Sequence, residues 1–175
     1  NNPGKYNYGS IGNGSLSHMS MEAIVLKAGS KMVHVPYAGS PAAMTALMRG
    51  DVQTASLPAI AVTPHVATGQ VKILAISTAD RSDLTPGSPT LTENGIDVQA
   101  DAWSGLIAPA KTPDAIVEKI RAAFTEAVTS PAIKEKLAVQ LTWPIPTTPA
   151  QFRARTQGEI ARWKPVIEAA NIKIN

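Results

Sequence analysis

Residues 6–18 read Tyr6-Asn7-Tyr8-Gly9-Ser10-Ile11-Gly12-Asn13-Gly14-Ser15-Leu16-Ser17-His18, and this stretch decides the fold. Residues 6–10 read as a short strand that feeds a glycine-rich turn, residues 9–15. A helix is expected over residues 17–28, because Met21, Ile24 and Val25 recur at i, i+3, i+4 and Gly29 stops the run. A strand entering a helix through a glycine turn is the opening of an α/β unit.

The same alternation continues downstream. Residues 32–35 form a short apolar run, and Pro36 to Ser40 a loop. Ser40-Pro41 then opens a second helix, with Ser40 expected as N-cap and Pro41 at the first helical position, and Gly50 closes it. Residues 52–56 read as a strand, 59–67 as a helix interrupted by Pro64, and 71–77 (VKILAIS) as the clearest buried strand. Strand–helix alternation with short loops predicts a parallel sheet with right-handed crossovers. Residues 78–95 form a polar, proline-containing stretch with one helical turn after Ser88-Pro89. Residues 98–108 read as extended, with Trp103 and Leu106 expected to be buried.

The pattern changes at Pro109. Thr112-Pro113-Asp114 supplies a cap, a proline and a first-turn acid. Ile116, Ile120, Ala123, Phe124, Ala127 and Val128 follow as one apolar stripe. Ser130-Pro131 restarts a helix, and Thr148-Pro149-Ala150-Gln151 fits a capping box. Phe152, Thr156, Ile160, Trp163 and Ile167 share a face of the last helix, which Pro165 should kink or break. The reading divides the chain into an α/β lobe, residues 1–108, and a helical segment, residues 109–175.

At 175 residues the length fits one compact domain or two small lobes, with 44% hydrophobic and 17% charged residues. This composition excludes a disordered or fibrous chain. Zero cysteines remove disulfides and thiolate chemistry, and three histidines leave little for an imidazole metal cluster. No metal or cofactor is expected. Sixteen basic and thirteen acidic side chains leave a net charge of +3, too small for a committed nucleic-acid binder. The sign varies along the chain. Residues 1–50 hold four basic side chains and one acid, Glu22; residues 51–110 hold two and six; residues 111–175 hold ten and six. A first segment nearly free of carboxylates suits an anionic ligand, and burial of most positions explains it equally well. No signal peptide and no run of about 18 apolar residues is read, so no membrane insertion is expected.

The glycine turn fails two nucleotide fingerprints. Ser17 stands where the dinucleotide motif wants a third glycine, and no acid follows the second strand at Val35-Pro36-Tyr37. No Gly-Lys-Ser/Thr follows for a phosphate loop. What remains is physical. The turn leads to a helix N-terminus, where free N–H groups favour an anion, and Ser10, Asn13 and Ser15 add short polar groups. Tyr37-Ala38-Gly39-Ser40 repeats the design beside it. The bland reading is that these residues are only good caps and turns. His18 reads as a structural hydrogen-bonding residue, and His34 and His65 lack a patterned serine or acid partner, so no triad is argued. Ser15 and His18, three apart, are the one pair within helical reach for an α/β hydrolase-like reading.

The string resembles a known family at many points. Pro3-Gly4-Lys5-Tyr6-Asn7-Tyr8-Gly9-Ser10, Gly12-Asn13-Gly14-Ser15 with His18, and Val33-His34-Val35-Pro36-Tyr37-Ala38-Gly39-Ser40 are similar to segments of the tripartite tricarboxylate transporter substrate-binding proteins, the TctC or Bug family. So are Gly50-Asp51-Val52-Gln53, Pro64-His65-Val66 with Gly69, Leu74-Ala75-Ile76-Ser77 with Arg81-Ser82, Ala102-Trp103-Ser104-Gly105-Leu106 and Ile160-Ala161-Arg162-Trp163. Ala38 stands where lysine is common. The resemblance implies a type II-like periplasmic binding fold, a mostly parallel sheet flanked by helices with a helical C-terminal tail, here one lobe of two. It implies a periplasmic receptor, not an enzyme, that clamps a small carboxylate (dicarboxylate, tricarboxylate, aromatic acid or amino acid) for membrane transporter subunits. Carried over by motif, the ligand-binding residues are Ser10, Gly12, Asn13, Gly14, Ser15, Ala38, Gly39 and Ser40. The other lobe of such receptors has no counterpart here, so weak affinity is expected of this chain alone. Full-length relatives are expected to be monomers. Tail faces such as Phe124 and Trp163 are expected to be exposed unless they repack or dimerise, which keeps a stand-alone interaction module as the alternative.

Overall fold

The computed structural model describes residues 4–173. Three parallel strands, β1 (Asn7–Ser10), β2 (Val33–Pro36) and β3 (Thr54–Ala55), form a sheet in the order β2-β1-β3. Tyr8 stands opposite His34 and Thr54, and Ser10 opposite Pro36. α1 (Leu16–Lys27) joins β1 to β2, and α2 (Ser40–Arg49) joins β2 to β3. The strand–helix alternation therefore produces the parallel sheet that the sequence implies. α3 (Ala59–Ala67) follows and holds Pro64 within it.

Two compact units divide the chain. The first comprises the described residues up to Ala102 and those from Arg162 onward; the second is Trp103–Ala161. The sequence reading divides the chain at residue 108; the residues from Arg162 onward group here with the first unit. The core of the first unit gathers Ala23 of α1, Leu91, Val98, Ala100 and Trp163. Trp163 is only 7% exposed, repacked against this cluster, while Phe124 stays exposed. It lies on α6 (Pro149–Ala169), whose residues Val166 and Ile167 pack on the same cluster. α6 continues through Pro165 without a break.

The fourth expected strand does not form. Residues 71–77 make one isolated parallel bridge, Ile76 with Thr90, and Leu74 is 73% exposed. The Leu91 N–H donates to Ile76 O and the Ala100 N–H to Ser77 O, but no ladder continues from them. An apolar run becomes a buried strand only where neighbours pair with it. A single 3-10 turn, Thr92–Asn94, follows as expected, closed by the Glu93 N–H donating to Thr90 Oγ1 and the Thr90 N–H to Glu93 Oε2.

In the second unit, α4 (Asp114–Thr129) and α5 (Pro131–Val139) meet at Ser130, which ends one and caps the other. Asp114 opens α4, with Pro113 as its N-cap, one residue later than the cap expected at Thr112. The capping box of α6 forms: the Thr148 N–H donates to Gln151 Oε1 at 2.9 Å and the Gln151 N–H to Thr148 Oγ1 at 3.2 Å. The stretch from Trp103 forms no strand, and Trp103 is exposed and Leu106 is 56% exposed, against the expected burial. Trp103 instead meets the Phe152 ring edge-on at 5.2 Å, with the Arg155 guanidinium 5.7 Å from its centroid. Among the described residues no helix is long and apolar enough to cross a membrane.

Candidate functional site

Two turns leave the carboxyl ends of the hydrogen-bonded strands β1 and β2, where open parallel sheets place their ligands. They touch: the Tyr37 N–H donates to Ser10 O at 3.0 Å, extending the ladder past the last strand residues. The first turn needs its glycines. Gly12 has φ 133° and Gly14 has φ 70°, conformations that side-chain-bearing residues rarely adopt. Ser15 caps α1 by accepting from the His18 N–H at 3.2 Å, and its hydroxyl donates to Gly12 O at 2.7 Å. Ser15 and His18 do meet, then, but through a backbone cap and not through the imidazole.

The second turn ends on Gly39, which has φ 93° and is the N-cap of α2. Ser40 is thus the first helical residue and Pro41 the second, one place from the expected cap. The glycine conformation turns the chain into the helix, so no side-chain oxygen is needed there. Neither α1 nor α2 carries an acid in its first turn. The amide ends of both helices therefore keep their full positive potential. Leu16 and Ser17 of α1, and Ser40 and Ala42 of α2, open their helices with N–H groups that have no carbonyl one turn back. Ala38 is exposed, and Gly39 and Ser40 are half-buried.

The structure brings the eight expected residues together in these two turns, with different roles for their side chains. Ser10 is fully buried; its Oγ lies 2.6 Å from His34 Nε2 and accepts the Gly12 N–H at 3.2 Å. His34 thus has the serine partner that its sequence neighbourhood did not reveal. Asn13 is exposed, and its amide donates to Lys173 O at 2.6 Å, a contact across 160 residues that no local signal announces. His18 accepts the Gly14 N–H at Nδ1, 3.1 Å, the structural hydrogen bond expected of it.

A second layer lies beneath the turns and was missed by pattern reading. The Tyr8 hydroxyl donates to Glu22 Oε1, and His18 Nε2 stands 3.9 Å from the same oxygen. Burial, then the hydrogen bond and charge of Glu22, push the Tyr8 phenol far above its usual range, so it stays a donor. Burial lowers His18 more than Glu22 raises it. Burial, with His18 second, holds His34 down to about 4. Both rings are therefore neutral near pH 7. The period-two spacing of Tyr8 and Ser10 was the available signal; the placing of His34 opposite Tyr8 comes from the strand register.

Known proteins resemble this chain in sequence and in fold. A profile described as the tripartite tricarboxylate transporter family receptor, TctC, matches residues 1–172. The UPF0065 protein in the gbd 5' region of Cupriavidus necator is 39% identical over 138 residues, 78% of this chain and 42% of that protein. Protein BugT of Bordetella pertussis is 32% identical over 173 residues, 98% of this chain and 53% of that one. Among solved structures, an R. palustris protein with adipate superposes with a TM-score of 0.83 at 29% identity, over 97% of this chain and 57% of that one. MatC from Rhodopseudomonas palustris with bound malate gives a TM-score of 0.76 at 29% identity, over 94% and 57%. The chain spans about half the length of the curated relatives it matches. Its parallel sheet with flanking helices covers part of a periplasmic binding protein fold. With the family profile matched over nearly every residue, the chain belongs to the tripartite tricarboxylate transporter receptor family, TctC.

Proposed function

We propose that this chain is the carboxylate-gripping part of a periplasmic solute receptor, which hands a small carboxylate to the subunits of a tripartite membrane transporter and performs no chemistry on it. One observation carries the reading: adjacent parallel strands deliver two touching glycine turns, each opening an acid-free helix N-terminus. Such ends hold anions by backbone N–H groups and dipole. Gly12, Asn13, Gly14 and Ser15 form one half of the cradle and Ala38, Gly39 and Ser40 the other. Ser10 serves from behind by holding Gly12. The adipate and malate of the structural relatives are small dicarboxylates, which supports the ligand class. In the whole receptor a second lobe closes over the ligand.

The reading is tested by melting the protein with millimolar malate, adipate, citrate and glutamate, followed by calorimetric titration of any ligand that raises the melting temperature. A rise with at least one carboxylate is expected. No rise with any of them, in this chain and in a form extended to the length of its relatives, defeats the reading.

A second reading rests on α4, whose Ile116, Ile120 and Phe124 are all exposed on the stripe read from the sequence. An apolar stripe of this kind is a place for association. Light scattering that finds a concentration-independent monomer argues against it.

A further inference from the structure

Behind the Gly12–Ser15 turn lies a polar cluster drawn from three elements. β1 supplies Tyr8 and Ser10, α1 supplies His18 and Glu22, and β2 supplies His34. The His18 and His34 rings stack with 3.6 Å between centroids and 12° between planes. Each ring is tied to one amide of the turn. His18 Nδ1 takes the Gly14 N–H directly, and His34 Nε2 reaches the Gly12 N–H through Ser10 Oγ.

A neutral imidazole has one donor and one acceptor nitrogen. Accepting from Gly14 at Nδ1 puts the His18 proton on Nε2, on the side of Glu22 Oε1. Protonation would turn Nδ1 into a donor aimed at the Gly14 N–H, donor against donor. Gly14 would lose its acceptor and the turn its geometry. The groups facing the His18 ring are Glu22 on its own helix, Tyr8 on β1 and His34 on β2. Glu22 favours the imidazolium, whereas His34, stacked on the ring, opposes a second charge.

We propose that His18 and His34 are positioning residues for the anion-binding turn, and that carboxylate binding there is proton-linked: neutral rings hold the turn ready and protonation releases it. The ligand half rests on the receptor reading above; the response of the turn to protons does not.

The first arm of the test uses no ligand. Imidazole nitrogen and backbone amide resonances are followed as the pH is lowered. The Gly14 amide is expected to move with the same midpoint as the His18 ring. His18→Asn, whose Oδ1 replaces Nδ1 as acceptor but does not titrate, is expected to abolish this response. His18→Leu, with no acceptor, is expected to displace the Gly14 resonance at every pH. A Gly14 amide that stays still while His18 titrates overturns the positioning role, and so does a response that persists with the same midpoint in His18→Asn.

The second arm titrates malate and adipate by calorimetry into the wild type and His18→Asn. The carboxyl groups of the ligands titrate equally in both. Wild-type affinity is expected to fall about tenfold further than that of His18→Asn one pH unit below the His18 midpoint. Parallel profiles, or wild-type affinity that rises on acidification, overturn the linkage. No binding to either protein near neutral pH defeats the receptor reading and the ligand half together, while the first arm still decides the role of the rings.

Discussion

The imidazole of His18 lies face to face with that of His34, 3.6 Å between centroids, beneath the turn that opens α1. Two titratable rings at that distance are stable only while neither or one is charged. The pairing makes acid a destabilising condition for the whole unit. His34 is held down to about 4 from an ordinary 6.5, by burial first and by His18 second. Between those values the unfolded chain binds a proton that the folded chain refuses. Stability from this source is therefore fully present above about pH 6.5 and is lost as pH falls toward 4. The expected loss is about 3 kcal/mol, read from urea midpoints across that window. Midpoints that stay flat or rise on acidification contradict it.

Tyr8→Phe removes the hydroxyl that donates to Glu22 Oε1 from a side chain with no exposed surface. The half-buried carboxylate is left with one partner fewer. The expected cost is about 1–3 kcal/mol in chemical denaturation. A neutral result would mean that water replaces the phenol.

Ser15→Ala removes the cap of α1 and the hydroxyl bond to Gly12 O in one change. The helix loses about 1 kcal/mol. If the turn grips carboxylates, calorimetry also shows weaker binding. Ser15→Asp restores the cap but cannot donate to Gly12 O and puts a negative charge beside the anion, so stability recovers only in part and binding does not.

Gly105→Ala tests the second unit. A Cβ at Gly105 would lie 2.4 Å from Phe152 Cζ, and the ring is already committed to its edge-on contact with Trp103. Overpacking of this kind costs about 1–3 kcal/mol. Phe152→Leu in the same chain is expected to recover part of that loss, a non-additivity visible in a double-mutant cycle.

Local punctuation made much of the fold legible. Ser130-Pro131, Thr148 with Gln151 and the glycines after α1 and α2 mark element ends by their own chemistry, and the structure places those ends within a residue or two. The glycine turns were legible for the same reason. What failed depended on distant neighbours. Val71 to Ser77 carries the composition of a buried strand, but composition cannot say what pairs with it. Trp163 reads as one more residue on an apolar stripe; its burial is decided by Ala23, 140 positions earlier. The Ser10–His34 contact needs the register of β1 on β2, which no single segment encodes.

That last packing has a consequence for biosynthesis. Ala23 and Leu91 leave the ribosome long before Trp163, Val166 and Ile167 exist to cover them. α1 and the segment from Leu91 to Ala100 can meet early, but the apolar cluster they share stays open until α6 is made. A translational pause between Gly105 and Phe152 would hold that surface open to chaperones. The order of synthesis, and not only the final energy, decides how long the chain is exposed to misassembly.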